Sequence, residues 1–522
     1  MVSWGDDDRH RLDEETVGGE TVVYGYDSGG RLTAMGAMTA TYDPQSARLE
    51  TTTLGNVTTT VSYDGFGDVS GAVYEASNSA FYEVAYTRDT FGRVETKTET
   101  RSGGTALRCY EYDGSDRLAA VYDAADSNGC TGTQLEAYTY DLNGNRASVT
   151  NSAGTVGPGD ILTGPQDRLF EHGDWTYAYN DDGQMQRRTD TSSGDVWEYT
   201  YDVMGNLLSV DPPGADPTIT YVTDARNRRV GKRENGVLVQ GFLYGDQLNP
   251  IAELDGSGAL VSRFVYGTSN HVPDYMVRGG VTYRFITDHL GSVVGVYDVT
   301  NGAEVQSREY DAYGRIVSDT TSPGFSQPFG FAGGLYDEDT GLVRFGARDY
   351  RPEVGSWAAK DPLRFDAGDG SLYSYCFGDP TDYIDIDGRN PVAIPIGCLA
   401  NPACAAAVAN LAAHAIGATA AAAAAICIWS GACTPEVAYP DDDDVCDPSE
   451  RSANGPRYSD PKPSWPLGYL DRGGDGGGGP PDCDEVSDTC YDECEHYLRG
   501  DAFDQGHPYR TCWRSCMDRH GC

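Results

Sequence analysis

Positive charge is scarce in this 522-residue sequence: 38 Lys and Arg stand against 80 Asp and Glu, giving a net charge of −42. Phosphate contacts need a clustered positive surface, so the deficit argues against nucleic-acid binding by the main body of the chain. Its simplest role is to keep a large tyrosine-rich surface soluble. Heptads are absent and helical periodicity is sparse before residue 395, which favours an all-β scaffold with many turns. The segment from Met1 to Asp8 has neither the basic n-region nor the apolar h-region of a signal peptide, and repeat-like sequence begins almost at once. Either export depends on another machine or the chain is the C-terminal part of a longer repeat protein. The second is the expectation, because terminal repeats ordinarily need capping.

Glycine and tyrosine are abundant, with 65 and 35 copies, and they recur in order. Tyr-Asp followed by Gly and then Arg or Asn plus an aliphatic residue appears at Tyr26-Asp27 with Gly30-Arg31-Leu32 and at Tyr140-Asp141 with Gly144-Asn145-Arg146. Other copies start at Tyr63, Tyr201 and Tyr310, and degenerate ones at Tyr86, Tyr112, Tyr179, Tyr221 and Tyr244. Copies are mostly roughly 20 to 26 residues apart, the period of a repeat architecture. Alternating runs such as Thr58 to Tyr63 put aromatic and β-branched side chains on one strand face. The Asp bonds backbone N–H groups two residues on, Gly accepts positive φ, and Arg-Leu or Asn-Leu opens the return strand. Each unit is a β-hairpin that cannot bury its aromatic face alone, so neighbours are expected to stack into one long curved sheet.

From Tyr283 the chain reads YRFITDHLGSVVGVYD, then REYDAYGRIVSD, then FGFAGGLYDEDTGLVRFGARDYRPEVGSWAAKDPL, then LYSYCFGDPTDYIDIDG. With the repeats before it, this order of blocks resembles the YD-repeat, or Rhs, family and its repeat-associated core. The resemblance implies an all-β sheet of YD-repeat hairpins spiralling into a shell over residues 1–282, closed by a core over 283–390 just before a variable C-terminal region. It also implies an internal aspartyl protease built from two Asp-Pro-x-Gly motifs, cutting after the second. Two close carboxylates share a proton, so that one acts as base toward water while the other protonates the peptide. The motifs align at Asp361-Pro362-Leu363-Arg364 and Asp385-Ile386-Asp387-Gly388, making Asp361 and Asp385 the candidate carboxylates and Arg389–Asn390 the candidate bond. Arg364 replaces the first Gly, Ile386 the second Pro, and Arg389 stands where Leu is usual. A buried Arg in the Leu position would cost several kcal/mol unless paired. The other reading of these residues is structural: Asp361 caps a turn, and Asp385 and Asp387 are ordinary turn residues. Arg348 and Arg351 could stabilise a carboxylate, but surface or strand-end positions are the simpler expectation for them.

Composition changes after Gly388. An Ala-rich segment over 391–433, with ACAAAVANLAAHAIGATAAAAAAICIWS at 403–430, has high helix propensity. Its length allows membrane contact, while Asn410, His414 and Thr419 suit a helix packed on protein instead. Residues 434–481, rich in Asp, Gly and Pro, read as a disordered linker. Residues 482–522 read as a small disulfide-rich helical hairpin, with Cys490 bonded to Cys516, Cys494 to Cys512, and Cys483 to Cys522 closing the open end. Spacing alone does not fix that connectivity. Zinc held by these thiols with His496, His507 or His520 is the rival; disulfides are preferred for an extracellular chain, and no metal or cofactor is expected. Upstream, Cys109 and Cys130 lie in neighbouring repeats and could bridge. His496, His507, Asp484, Asp492 and Asp504 lie within no nuclease, deaminase or protease signature. Two functions are compatible with these features. One is a secreted or cell-surface toxin-like scaffold that delivers its C-terminal region to a target cell and is matched by a cognate immunity protein. The other is a surface repeat protein that adheres to protein or carbohydrate without catalysis.

Overall fold

The computed structural model describes residues 2–127 and 129–393. Two antiparallel meanders carry the repeats. A 15-stranded sheet runs in chain order from Val2–Asp6 to Gly154–Val156, and a 16-stranded sheet runs from Ile161–Thr163 to Ile316–Thr321. The repeats thus divide between two sheets where one was expected. The break falls at Gly157-Pro158-Gly159, where proline supplies no N–H to a ladder and Gly159 has φ +103°. The sequence division at 282/283 falls within Val281–Thr287, a strand paired on both sides.

The repeat turn explains why strand follows strand. Asp64 Oδ1 accepts the backbone N–H groups of Phe66, Gly67 and Asp68 at 2.9, 2.8 and 2.9 Å. Gly67 has φ +97°, a conformation that strains other residues. Register shifts fall immediately before the repeat tyrosine, between Ser62 and Tyr63, Thr139 and Tyr140, and Glu309 and Tyr310. Such bulges re-aim a side chain, and here the tyrosine hydroxyl turns back toward the preceding strand.

Where Arg stands four residues after the turn Asp, it joins one turn to the next. Arg31 Nε donates to Asp27 Oδ2 at 2.7 Å, and its guanidinium lies 5.0 Å from the Tyr42 ring centroid. Tyr42 in turn donates its hydroxyl to the Leu32 carbonyl at 2.7 Å. The same latch links Asp113, Arg117, Tyr140 and Leu118, and again Asp224, Arg228, Tyr244 and Arg229. One latch joins a cation–π contact worth about 0.5–1 kcal/mol at an exposed site to a hydrogen bond worth about 1 kcal/mol. Repetition along the sheet edge makes it significant.

The sheets face each other over an apolar core. Met35, Met38, Leu54 and Val57 meet Val265, Tyr275 and Val299, while Tyr74, Tyr82 and Tyr86 meet Ile286, Val294 and Tyr297. A cavity of about 370 Å³ remains near Lys97, Glu99, Arg108 and Glu136. Glu136 accepts the Tyr138 hydroxyl at 2.5 Å and the Ala312 N–H at 3.1 Å. Burial, and then the charge of Asp311, push its carboxyl up to about 7. Cys109 is buried and disulfide-bonded to Cys130, with Cα atoms 5.4 Å apart.

After Thr321 the chain forms a 4-stranded sheet, Leu335–Asp337, Leu342–Phe345, Arg348–Arg351 and Ser356–Trp357, and a 2-stranded one, Tyr383–Ile384 with Val392–Ala393. Its aromatic core contains Phe331, Phe345, Tyr350, Trp357 and Tyr375. Asp382 ties this part to the first sheet, accepting the Val94 N–H at 3.0 Å and the Tyr112 hydroxyl at 2.9 Å. Asp349 ties it to the second through buried Arg229, at 2.7 Å. The Ala-rich segment 403–430, the linker 434–481 and the pairs Cys490–Cys516, Cys494–Cys512 and Cys483–Cys522 lie outside the described residues. Among the described residues no helix is long and apolar enough to cross a membrane.

Candidate active site

Asp361 and Asp385 meet at one arginine. Arg348, on the strand Arg348–Arg351, places Nη2 at 2.7 Å from Asp361 Oδ2 and at 2.7 Å from Asp385 Oδ2. All three residues are buried, with exposures of 4% for Arg348, 5% for Asp361 and 0% for Asp385, so solvent screens the cluster little. The guanidinium also lies 4.0 Å from the Trp357 ring centroid. Arg351, the other arginine of this strand singled out in the sequence, goes elsewhere and donates to Ser356 Oγ at 2.7 Å. Both arginines stand at strand ends, as expected, but neither is at the surface: both are buried, because a strand with two covered faces leaves no exposed side.

Each carboxylate has a second oxygen with a backbone task. Asp361 Oδ1 accepts the Leu363 N–H at 2.7 Å, so it caps its turn while its other oxygen meets Arg348. Asp385 Oδ1 accepts the N–H of Arg389 at 2.9 Å and that of Asn390 at 3.1 Å. The second of these nitrogens is the amide of the Arg389–Asn390 bond. Asp387 Oδ1 also accepts the Arg389 N–H, at 3.0 Å. Turn and site readings therefore describe different oxygens of the same side chains.

Burial pushes the Asp361 carboxyl up to about 6 against the pull of Arg348. It pushes Asp387 up to about 7, with Asp385 adding like-charge repulsion. Cys376, buried nearby, has its thiol raised well above the usual range by the same desolvation and by Asp385. The thiolate form is thereby disfavoured.

The departures from the motif have distinct structural settings. Arg364 adopts φ +56° where the pattern has Gly, and its side chain is exposed. Arg389 and Asn390 are exposed too, so the desolvation cost foreseen for a buried Arg389 does not arise. Gly388 is kept, and it is needed. At φ +67° a Cβ there would collide with the Phe345 carbonyl oxygen and stand 2.8 Å from the Arg348 nitrogen.

Comparison with known proteins places the fold. The family described as Teneurin YD-shell matches residues 15–369. The chain belongs to this family. The matched stretch takes in Asp361 and ends before Asp385. Teneurin-4 of Mus musculus is 28% identical over 382 residues, covering 67% of this chain and 13% of teneurin-4. The tRNA nuclease WapA of Bacillus subtilis is 31% identical over 267 residues, covering 49% of this YD-shell chain and 11% of WapA. This YD-shell also shares its fold with the Photorhabdus luminescens Tc holotoxin pore, at a TM-score of 0.60 and 18% identity, over 75% of this chain and 21% of that one. The TcdB2-TccC3 crystal structure gives a TM-score of 0.59 at 18% identity, covering 74% of this chain and 22% of that one. The chain thus spans a small fraction of the length of each of these relatives.

Proposed function

We propose that this YD-shell encloses or presents the region after Asn390 as part of a secreted, toxin-like protein of intercellular competition, and that it cuts itself at Arg389–Asn390. The observation that carries the cut is the position of Asp385 Oδ1, 3.1 Å from the Asn390 nitrogen, in a carboxylate pair spanned by one guanidinium. In the proposed reaction a water oxygen adds to the Arg389 carbonyl carbon while the Asp385 carboxylate takes a water proton. Asp385 then passes that proton to the Asn390 nitrogen, 3.1 Å from its Oδ1, as the C–N bond breaks, while Asp361 in its protonated form keeps the pair at a single negative charge. The products are a new carboxyl on Arg389 and a new amine on Asn390. With Asp361 half-protonated near 6, splitting is fastest below that pH and slows as pH rises through it.

The partners proposed are a protein or carbohydrate component of the target-cell surface and an immunity protein that neutralises the released region. WapA carries the name of a tRNA nuclease, but the match covers 11% of it. No nucleic-acid target is transferred from it to this acidic chain. A second reading, surface adhesion, is favoured by one feature: turn tips present Phe66, Phe91 and Met204 at 95%, 75% and 69% exposure.

Intact-mass measurement of the purified full chain tests the proposal. Two fragments joining at residue 389 are expected, and neither Asp361→Asn nor Asp385→Asn should split. An unsplit wild-type chain, harmless when expressed in a susceptible cell and displayed at the surface, would leave the adhesion reading.

A further inference from the structure

We propose that Arg348 is the positioning residue that sets which peptide bond is cut. This rests on the self-cleavage reading. Two of its nitrogens act on different parts of the site. Nη2 spans Asp361 and Asp385 at 2.7 Å each, and Nε donates to the Gly388 carbonyl at 2.6 Å. Gly388 lies immediately before Arg389, so the group that fixes the carboxylates also fixes the chain approaching them.

The backbone around Arg348 reinforces the register. The Ala347 N–H donates to the Asp387 carbonyl at 2.8 Å, and Gly388 is pressed so closely on Phe345 and Arg348 that it has no room for a Cβ. The chain over 387–388 is thereby laid along the hairpin turn at 345–348. Asp385 Oδ1 then falls against the nitrogens of residues 389 and 390. A slip of one residue would bring a different amide to Asp385 and break the Arg348 bond to Gly388. Stacking on Trp357 holds the guanidinium plane. Arg348 touches neither carbon nor nitrogen of the candidate bond, so its role is to aim.

Lysine tests this, because it keeps the charge but has one nitrogen in place of a planar fork and cannot serve the carboxylates and Gly388 in the same geometry. In the full chain, Arg348→Lys is expected to slow splitting at least tenfold and to scatter the cut over neighbouring bonds, located by intact mass and N-terminal sequencing. Arg348→Gln removes the charge that opposes the rise of Asp361, so the pH at which splitting declines should move upward. Gly388→Ala leaves all three charged groups in place yet displaces the Gly388 carbonyl, and should likewise lose or scatter the cut. Circular dichroism and resistance to added protease identify the variants that retain the fold.

A purely structural role predicts that splitting falls only in step with loss of fold, with the cut and the pH profile unmoved. That outcome would overturn the proposal. So would Arg348→Lys cutting at Arg389–Asn390 at the wild-type rate, with self-cleavage itself left standing. A wild-type chain that never splits removes the underlying reaction, and this role with it.

Discussion

At Arg364 an exposed arginine occupies a left-handed backbone conformation next to a buried carboxylate. For an L-residue this costs roughly 1–2 kcal/mol, which glycine avoids. Arg364→Gly should therefore stabilise the chain by about 1 kcal/mol in equilibrium denaturation, since the side chain makes no buried contact that would be lost. Single residues were unevenly legible in the sequence. Asp361 and Asp385 could be aligned because motif spacing marks them. Arg348 could be named with Arg351 as a possible carboxylate partner, but not told apart from it, because its bond to Asp385 joins residues 37 apart and nothing local signals it. The exposure of Arg389 was equally hidden, since it depends on the turn held by Asp385 and Asp387.

The turn and its latch are the best-encoded element. Asp-x-x-Gly-Arg carries its chemistry within five residues, so the strands and hairpins could be read directly. The reach of each Arg to the next tyrosine was not legible, since it needs two adjacent hairpins in register. Latches differ in load. The Tyr42 hydroxyl serves the Leu32 carbonyl alone, whereas that of Tyr140 meets the Leu118 carbonyl at 2.7 Å, the Tyr313 hydroxyl at 2.5 Å and the Gly378 carbonyl at 3.2 Å. Tyr42→Phe should cost about 1 kcal/mol and Tyr140→Phe about 2–3 kcal/mol, because the latter leaves buried partners unsatisfied. Urea denaturation of both variants checks the difference.

Over the whole molecule, stability should respond to pH in a way unusual for so acidic a chain. Glu136, Asp361 and Asp387 are pushed above their ordinary values, to about 7, 6 and 7. These three groups therefore bind more protons in the folded than in the unfolded state between roughly pH 4 and 7, a contribution to stability that falls as pH rises through that window; burial lowers His172 and His289 to about 4, and their contribution runs the other way between about pH 4 and 6.5. Asp361 alone could contribute up to about 3 kcal/mol, taking 1.36 kcal/mol per pKa unit as an upper figure. The opposite limb comes from Glu99, lowered to about 2 against the desolvating effect of burial by Lys97 and Arg101, whose stabilisation is lost as pH falls from about 4.5 toward 2. The thermal midpoint should rise from pH 7.5 to pH 5.5 and drop below about pH 4; a flat profile would contradict these environments. The division into two sheets at Gly157-Pro158-Gly159 was visible as turn sequence, but a long repeat array offers many such turns. Only the packing partners across the core show that this one separates sheets.

The attachment of Asp382 to Val94 and Tyr112 has a consequence in time. Strands that pair only with their sequence neighbours can form as the chain emerges from synthesis, without waiting for distant residues. The carboxylate cluster cannot, because it is assembled from segments 348–361 and 385–390 and anchored to a strand made almost 300 residues earlier. It is among the last parts to be completed. A chain halted at any earlier stage would hold its repeats but no assembled carboxylate cluster, so the proposed cut at Arg389–Asn390 would be deferred until the structure around it is finished.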